Sequence, residues 1–344
     1  MSGPPDGVRS LKEPGRIAVV DALRGLASIA VAAFHFTNGN PAFMNGGWMH
    51  SLGALGRYGI DVFFVISGFV IPLSMSRASY RLNHYLSFVV RRVVRLDPPY
   101  LVSVASVLIL GYLSSLAPAF AGRPLVIEWP RLLLHIGYLN DLFGVPWYGV
   151  VYWTLALELQ FYLLIGILFP LISSRKGYQS VLTLCLLAVS GLFVTNRALL
   201  FVWICPFLLG ILVFRFHSGL LSMKQFALQS IAVSVVAYFQ LGPLALAEAL
   251  LAWCAISFFL STRIARPLRF FGAISYSLYL MHVPLGGRVI NIASRFTLND
   301  AGRFVAVCAA FAISIIGAYA LQQLVEVPAQ RWSRSIALGP VRRR

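Results

Sequence analysis

Charge is scarce in this chain, and acid scarcer still. Only 11% of the 344 residues are charged, and 28 Lys and Arg stand against 11 Asp and Glu, a net charge of +17. With 59% hydrophobic residues, this composition excludes a soluble enzyme and marks an integral membrane protein. Cysteine is equally sparse. Cys185, Cys205, Cys254 and Cys308 stand singly in apolar stretches, with no CxxC and no Cys/His cluster. Neither a disulfide framework nor a metal site is therefore expected. Internal repeats and low-complexity linkers are missing too, which points to a single domain. A cleavable leader is not expected: the first apolar run is too long for a signal-peptide core and ends in FHFTNGNP, not in small residues. Nor does the basic excess point to nucleic acid, because the arginines cluster between apolar runs, where membrane topology places them.

What is present is a series of apolar runs of spanning length, near 17–37, 53–75, 99–117, 148–172, 178–195, 198–216, 225–241, 243–261, 270–289 and 303–325. They predict an all-α integral membrane protein of about ten transmembrane helices. The basic residues orient them. Arg77, Arg81, Arg91, Arg92 and Arg95 lie between the second and third runs, and Arg175 and Lys176 follow the fourth. Arg215 and Lys224 flank the sixth-to-seventh loop, and Arg263, Arg266 and Arg269 precede the ninth run. Arg331, Arg334, Arg342, Arg343 and Arg344 follow the tenth. All fall on one side when both termini are cytoplasmic, an N-in/C-in arrangement. The expected layout is a disordered cytoplasmic N-terminus at 1–15, a membrane domain at 16–330 and a basic cytoplasmic tail at 331–344. Residues 131–145 are too short and polar to span, and are expected to lie in the outer interface or to re-enter there.

Five segments carry candidate chemistry. Arg24 and His35 sit eleven residues apart in the first run. Eleven residues rotate a helix by about 1100°, so both side chains share one face, ~16 Å apart along the axis. A charge at a helix centre costs on the order of 2.5–3.5 kcal/mol in a bilayer, so the stripe predicts a polar track inside the protein. Asp21 lies one turn from Arg24 and could pair with it. In GRYGIDVFFVISGFVIP, residues 56–72, Ser67 and Gly68 read as small residues for helix packing. Asp61 there is either a buried carboxylate or one at the headgroup level. In FVVRRVVRLDPPY, residues 88–100, the forks of Arg92 and Arg95 suit phosphate oxygens, with a phosphorylated donor and anionic lipid both open. Glu158, in VYWTLALELQFYLL, is an intramembrane carboxylate and so a functional candidate. His282, in ISYSLYLMHVPL, falls in the outer half of the ninth run among Ser275, Tyr276, Ser277 and Tyr279. His50, His84, His135 and His217 fall in loops or interfaces and are expected to carry no chemistry.

In order along the chain, DALRGLASIAVAAFHF (with ten residues between its basic residue and its histidine), GIDVFFVISGF, RVVR, WTLALELQFY and SLYLMH resemble the acyltransferase-3 family of bacterial membrane acyltransferases. The resemblance covers roughly residues 16–330. Thr154 stands where a serine is usual, and Leu159 where a second glutamate is usual, which removes a possible second carboxylate. The resemblance implies an enzyme, a transferase of acyl groups other than amino-acyl groups. Its substrates would be an acyl-CoA, usually acetyl-CoA, and a hydroxyl of a carbohydrate or glycolipid acceptor, such as a cell-surface polysaccharide, lipopolysaccharide or lipid-linked oligosaccharide. It also implies a multi-pass place in the bacterial inner membrane, with acyl-CoA as donor substrate and no permanently bound cofactor. The short stretch after the last run fits the stand-alone type of the family.

Acyl transfer from a thioester needs a base or a nucleophile, groups for the oxyanion, and anchors for a phosphate-rich donor. His35 is expected to be the base, since a neutral imidazole can accept a proton near pH 7. Arg24, Arg92 and Arg95 are expected to hold the CoA from the cytoplasmic side. Glu158 would orient the histidine or the acceptor hydroxyl, and His282 is the reserve base or acyl carrier. Direct transfer and an acyl-histidine route both stay open. The rival class is a glycolipid transporter or flippase without acyl transfer. Its signature would be inverted repeats with broken helices, and no such pairing is visible.

Overall fold

The computed structural model describes residues 17–116, 126–262 and 264–336. The expected disordered N-terminus, Arg263 and the end of the basic tail lie outside the described residues. Every regular element among the described residues is helical. In chain order these are α1 (Ala18–Asn38), α2 (Trp48–Leu55), α3 (Gly59–Arg77), α4 (Tyr85–Ser115) and α5 (Trp129–Ile136). Next come α6 (Trp153–Ile172), α7 (Gly177–Phe193), α8 (Ile204–His217), α9 (Met223–Leu241) and α10 (Pro243–Phe258). The last are α11 (Arg266–Met281), α12 (Gly287–Ala293), α13 (Asp300–Leu321) and α14 (Val327–Ser335). A helix thus occupies each of the ten apolar runs. Six helical stretches among the described residues are long and apolar enough to cross a membrane, and α7 and α10 are shorter apolar helices.

The apolar pattern decides which helix goes where. In α8 every residue from Ile204 to Arg215 is buried, as expected of a helix that is apolar on all sides and sits at the centre. It packs on α3 through Gly68 and Gly210, where a Cβ would overlap the carbonyl oxygen of Phe207 or of Val65. A second close crossing joins α1 to α11. A Cβ on Gly25 would come 2.9 Å from the backbone nitrogen of Gly272, and one on Gly272 would overlap the Asp21 carbonyl oxygen. Small residues let two helix backbones touch, which is the usual way to tighten a membrane bundle. Elsewhere large apolar side chains face outward, among them Leu186, Phe239 and Ile316. Such a surface is stable in lipid and a liability in water.

Local chemistry sets several ends. Ser222 and Gln225 form a reciprocal capping box at the start of α9. Within α4, Pro98 and Pro99 supply no N–H, so the carbonyls four residues back, on Val94 and Arg95, lose their helical donors. Arg91 closes the far end of the chain. Its Nε donates to the Ser333 carbonyl at 3.0 Å, another guanidinium nitrogen donates to that of Arg334 at 3.1 Å, and Ser333 Oγ donates back to the Arg91 carbonyl at 2.7 Å. The basic residues that begin the expected tail at 331 are therefore helical as far as Ser335.

Residues 131–145 form α5 and one 3₁₀ turn, Asp141–Phe143, and do not span. His135 within this segment is fully buried. The Tyr148 backbone N–H donates to its Nε2 at 3.2 Å, so in the neutral ring Nδ1 carries the proton and meets Tyr100 Oη at 2.7 Å. Arg131 ties the segment down by donating to the carbonyls of Pro146 and Trp147, both at 2.8 Å. Burial first, and then the nearby Arg131, push the His135 imidazole down to about 4. It is a structural histidine that holds a short hairpin together.

Candidate active site

Helices α1, α3, α4, α6 and α11 enclose a narrow cavity of about 100 Å³. Arg24, Arg92, Arg95 and Glu158 all line it, although they come from three different helices. Arg24 Nε donates to Ser275 Oγ at 3.2 Å, an approach made possible by the tight α1–α11 crossing. Arg92 donates to Ser74 Oγ at 2.8 Å and lies near the rings of Phe88 and Tyr162, 5.3 and 5.4 Å from their centroids. Serines and aromatic faces hold these guanidinium groups in place, and their forks suit an anion. Arg24 and Val70 continue into an open vestibule shared with Ser74 and Arg77 at one end of the bundle. The arginines therefore mark a path inward.

Glu158 lies on the wall of that cavity. Its Oε1 accepts from Ser67 Oγ at 3.3 Å and from the Tyr162 hydroxyl in a short bond. The sequence suggested that Glu158 orients a histidine or the acceptor hydroxyl; its partners are instead a serine and a tyrosine. A second carboxylate, Glu326, lines the same cavity from the π-helical turn Gln322–Glu326. It is buried and accepts from Ser277 Oγ at 2.6 Å and Gln330 Nε2 at 2.9 Å.

His35 opens onto a different and wider cavity of about 640 Å³, which Asp61, Asp141, Trp153 and Trp203 also line. Its ring lies beside that of His282, with centroids 5.2 Å apart and planes tilted by 45°. The histidines that the sequence separates by nearly the whole chain are neighbours, because Arg24 and His35 share a face of α1 and that face meets α11. His282 is fully buried and opens the π-helical turn His282–Gly286, a distortion found mostly at functional sites. Its Nδ1 is 3.1 Å from the Leu278 carbonyl. A carbonyl can only accept, so Nδ1 carries the proton and Nε2 keeps its lone pair. That Nε2 is buried without a hydrogen-bond partner among the described residues, as is Oδ1 of Asp61.

Ile60 and Tyr279 line both cavities, so the two chambers share a wall. The expected site residues thus fall into two groups: Arg24, Arg92, Arg95 and Glu158 on one side, His35 and His282 on the other. Sequence reasoning missed three neighbours. Ser67 read as a packing residue, yet it donates to Glu158. Tyr162 stands at i+4 from Glu158, a helical spacing that could have revealed it. Glu326 falls one residue past the end assigned to the last apolar run and so read as part of the exit from the membrane.

The family described as an acyltransferase domain, acyltransferase-3, matches residues 17–323. Over 155 residues the chain is 33% identical to the peptidoglycan O-acetyltransferase OatA of Listeria monocytogenes, covering 42% of this chain and 23% of that protein. Over 174 residues it is 29% identical to the O-acetyltransferase OatA of Staphylococcus aureus, covering 48% of this chain and 26% of that protein. The matched part is thus about a quarter of the length of these two relatives. No solved structure matches the chain. A match that runs through both chambers, from α1 to the turn that carries Glu326, shows that the chain belongs to the acyltransferase-3 family.

Proposed function

We propose that this protein is a membrane O-acyltransferase that moves an acyl group, acetyl in the first instance, from acyl-CoA onto a hydroxyl of a carbohydrate or glycolipid acceptor. The membrane domain crosses the bacterial inner membrane ten times with both termini inside, which turns the vestibule of Arg24 and Arg77 to the cytoplasm. The names of the two relatives support O-acetyl transfer, and that of the Listeria protein supports a glycan acceptor. The observation that carries the reading is the shared wall. A chamber lined by three arginines backs onto a chamber that contains a histidine with aromatic and polar neighbours.

In this reading Arg24, Arg92 and Arg95 hold the phosphate-bearing donor, and its thioester arm reaches toward the histidines. Bidentate guanidinium forks suit phosphate oxygens, and a site out of water strengthens them. The acceptor occupies the wider chamber, where Trp153 and Trp203 offer flat apolar faces beside polar groups. His35 takes the proton of the acceptor hydroxyl as its oxygen attacks the thioester carbonyl. The carbon–sulfur bond breaks, an ester forms, and the CoA thiolate recovers the proton. His282 lies behind His35 with an unprotonated Nε2 and can share that proton. Glu158, tied to Ser67 and Tyr162, fixes the wall of the donor chamber.

Membrane vesicles containing the protein, given labelled acetyl-CoA and the glycolipid fraction of the same membrane, test the reading. Label in the glycolipid, lost in His35→Ala at unchanged protein level, is the expected result. Translocation of unmodified glycolipid with no label transferred would instead identify a carrier.

A further inference from the structure

Tyr279 belongs to neither chamber alone. It is buried, and its ring stands edge-on to Phe63 with centroids 5.9 Å apart, and 5.8 Å from the ring of His282. Its hydroxyl closes a triangle of three oxygens. It lies 2.6 Å from Thr154 Oγ1 and 3.1 Å from the Val151 carbonyl, and Thr154 Oγ1 donates to that same carbonyl at 3.0 Å. Thr154 faces the arginine chamber and Val151 the histidine chamber. The triangle therefore bridges the wall at the point where any thioester must pass to meet His35. Ile60, which also lines both chambers, has no polar group to contribute.

We propose that Tyr279 is the positioning residue of this threshold: tied to Thr154 and Val151, it keeps the chambers apart while a bound donor waits without an acceptor. The inference rests on the acyl-transfer reading above. Its chemical consequence is a choice of nucleophile. In transfer, the acceptor oxygen bonds to the acyl carbon, the carbon–sulfur bond breaks, and the hydroxyl proton ends on the CoA thiol. If water reaches the same carbon, a carboxylic acid forms in place of the ester, with the same bond broken and the same thiol released. A closed wall denies water from the wide chamber a route to a waiting thioester.

The test needs no acceptor. The full chain is reconstituted in lipid vesicles and given acetyl-CoA alone, and two quantities are read: binding, as the rise in melting temperature, and free thiol released. Wild type is expected to bind acetyl-CoA and release thiol slowly. Tyr279→Phe keeps the ring and removes the hydroxyl, and its release is expected to rise about fivefold, the scale of one lost hydrogen bond. Thr154→Val, which breaks the triangle from the other side, is expected to do the same, whereas Thr154→Ser retains the wild-type rate. Adding His35→Ala to Tyr279→Phe removes the extra release, because the same base activates the water. Binding without any rise in release in either variant overturns the proposal. So does an equal rise with Thr154→Ser. Wild type that does not bind acetyl-CoA overturns the acyl-transfer reading itself, a result separate from a failure of the threshold.

Discussion

The two chambers on either side of Tyr279 share helices α1, α3, α6 and α11 yet hold their polar groups in opposite ways. In the narrow chamber the polar groups are partnered: Arg24 by Ser275, Arg92 by Ser74, Glu158 by Ser67 and Tyr162, and Glu326 by Ser277 and Gln330. Each is oriented before any ligand arrives. At the histidine side, Nε2 of His282 and Oδ1 of Asp61 are buried without partners among the described residues. Buried polar atoms are seldom left that way without a functional reason. On the proposed reading the contrast separates two tasks. A highly charged donor is best met by fixed, preorganised charge, whereas proton transfer needs a lone pair that nothing else has claimed.

The sharpest way to break this comparison is to remove the base. His35→Ala is expected to lower acetyl transfer by roughly 10²–10⁴-fold, the usual contribution of a general base, with donor binding intact. Acetyl-CoA titration of the same variant separates the two effects. The reverse pattern is expected from the arginine chamber. Arg92→Gln should weaken donor binding about tenfold while the rate at saturating donor changes little, because one charge-assisted contact is lost. Arg24→Ala should lower transfer, and Arg24→Lys should recover part of it, since a point charge replaces a fork. If Arg92→Gln lowered only the saturated rate, the division of labour between the chambers would be wrong.

The division also depends on the α1–α11 crossing, which sets Arg24 and His35 against α11 together. Gly272→Val is expected to cost about 1–3 kcal/mol through forced separation of the helices. It should lower the melting temperature in detergent and weaken both donor binding and transfer. An effect on one alone would show that the chambers are not yoked through this crossing.

The smallest effect concerns pH and the hairpin of residues 129–148. His135 is held neutral, its value near 4 lying below the roughly 6.5 of an unfolded histidine. Protonation would remove the acceptor used by the Tyr148 N–H. The unfolded state therefore binds more protons between these values, so the stability contributed by His135 is complete above about pH 6.5 and is lost as pH falls toward 4. Hydrogen-exchange protection in residues 129–148, corrected for the intrinsic pH dependence of exchange, should fall between pH 7 and pH 5, while the arginine vestibule stays protected. Equal loosening of both regions would remove His135 as the cause.

How much of this was legible in the sequence follows from the range of each interaction. Helical periodicity acts within a few turns, so the shared face of Arg24 and His35 could be read directly, as could Glu158 and the RVVR segment. The ten apolar runs were visible for the same reason, and each holds a helix. Long-range partners were not legible. Nothing local in Ser67 indicates that α3 will turn it to Glu158 on α6, and nothing in Tyr279 shows that it stands between two chambers. Ser275 and His282 stand seven residues apart, two turns on one face of α11, and became informative only once Gly25 and Gly272 brought that face to α1. His135 looked interfacial because its segment is short and polar, yet both of its ring nitrogens are used inside the fold.

The central claim is that donor enters through the arginine vestibule and the acyl group crosses the wall to His35. The most direct measurement uses sealed vesicles of known orientation that hold the glycolipid fraction, with labelled acetyl-CoA supplied to one face at a time. Label should reach the glycolipid only when donor is given on the face that carries Arg77, and His35→Ala should abolish it. Equal labelling from the face that carries His35, or labelling that survives His35→Ala, would contradict the account.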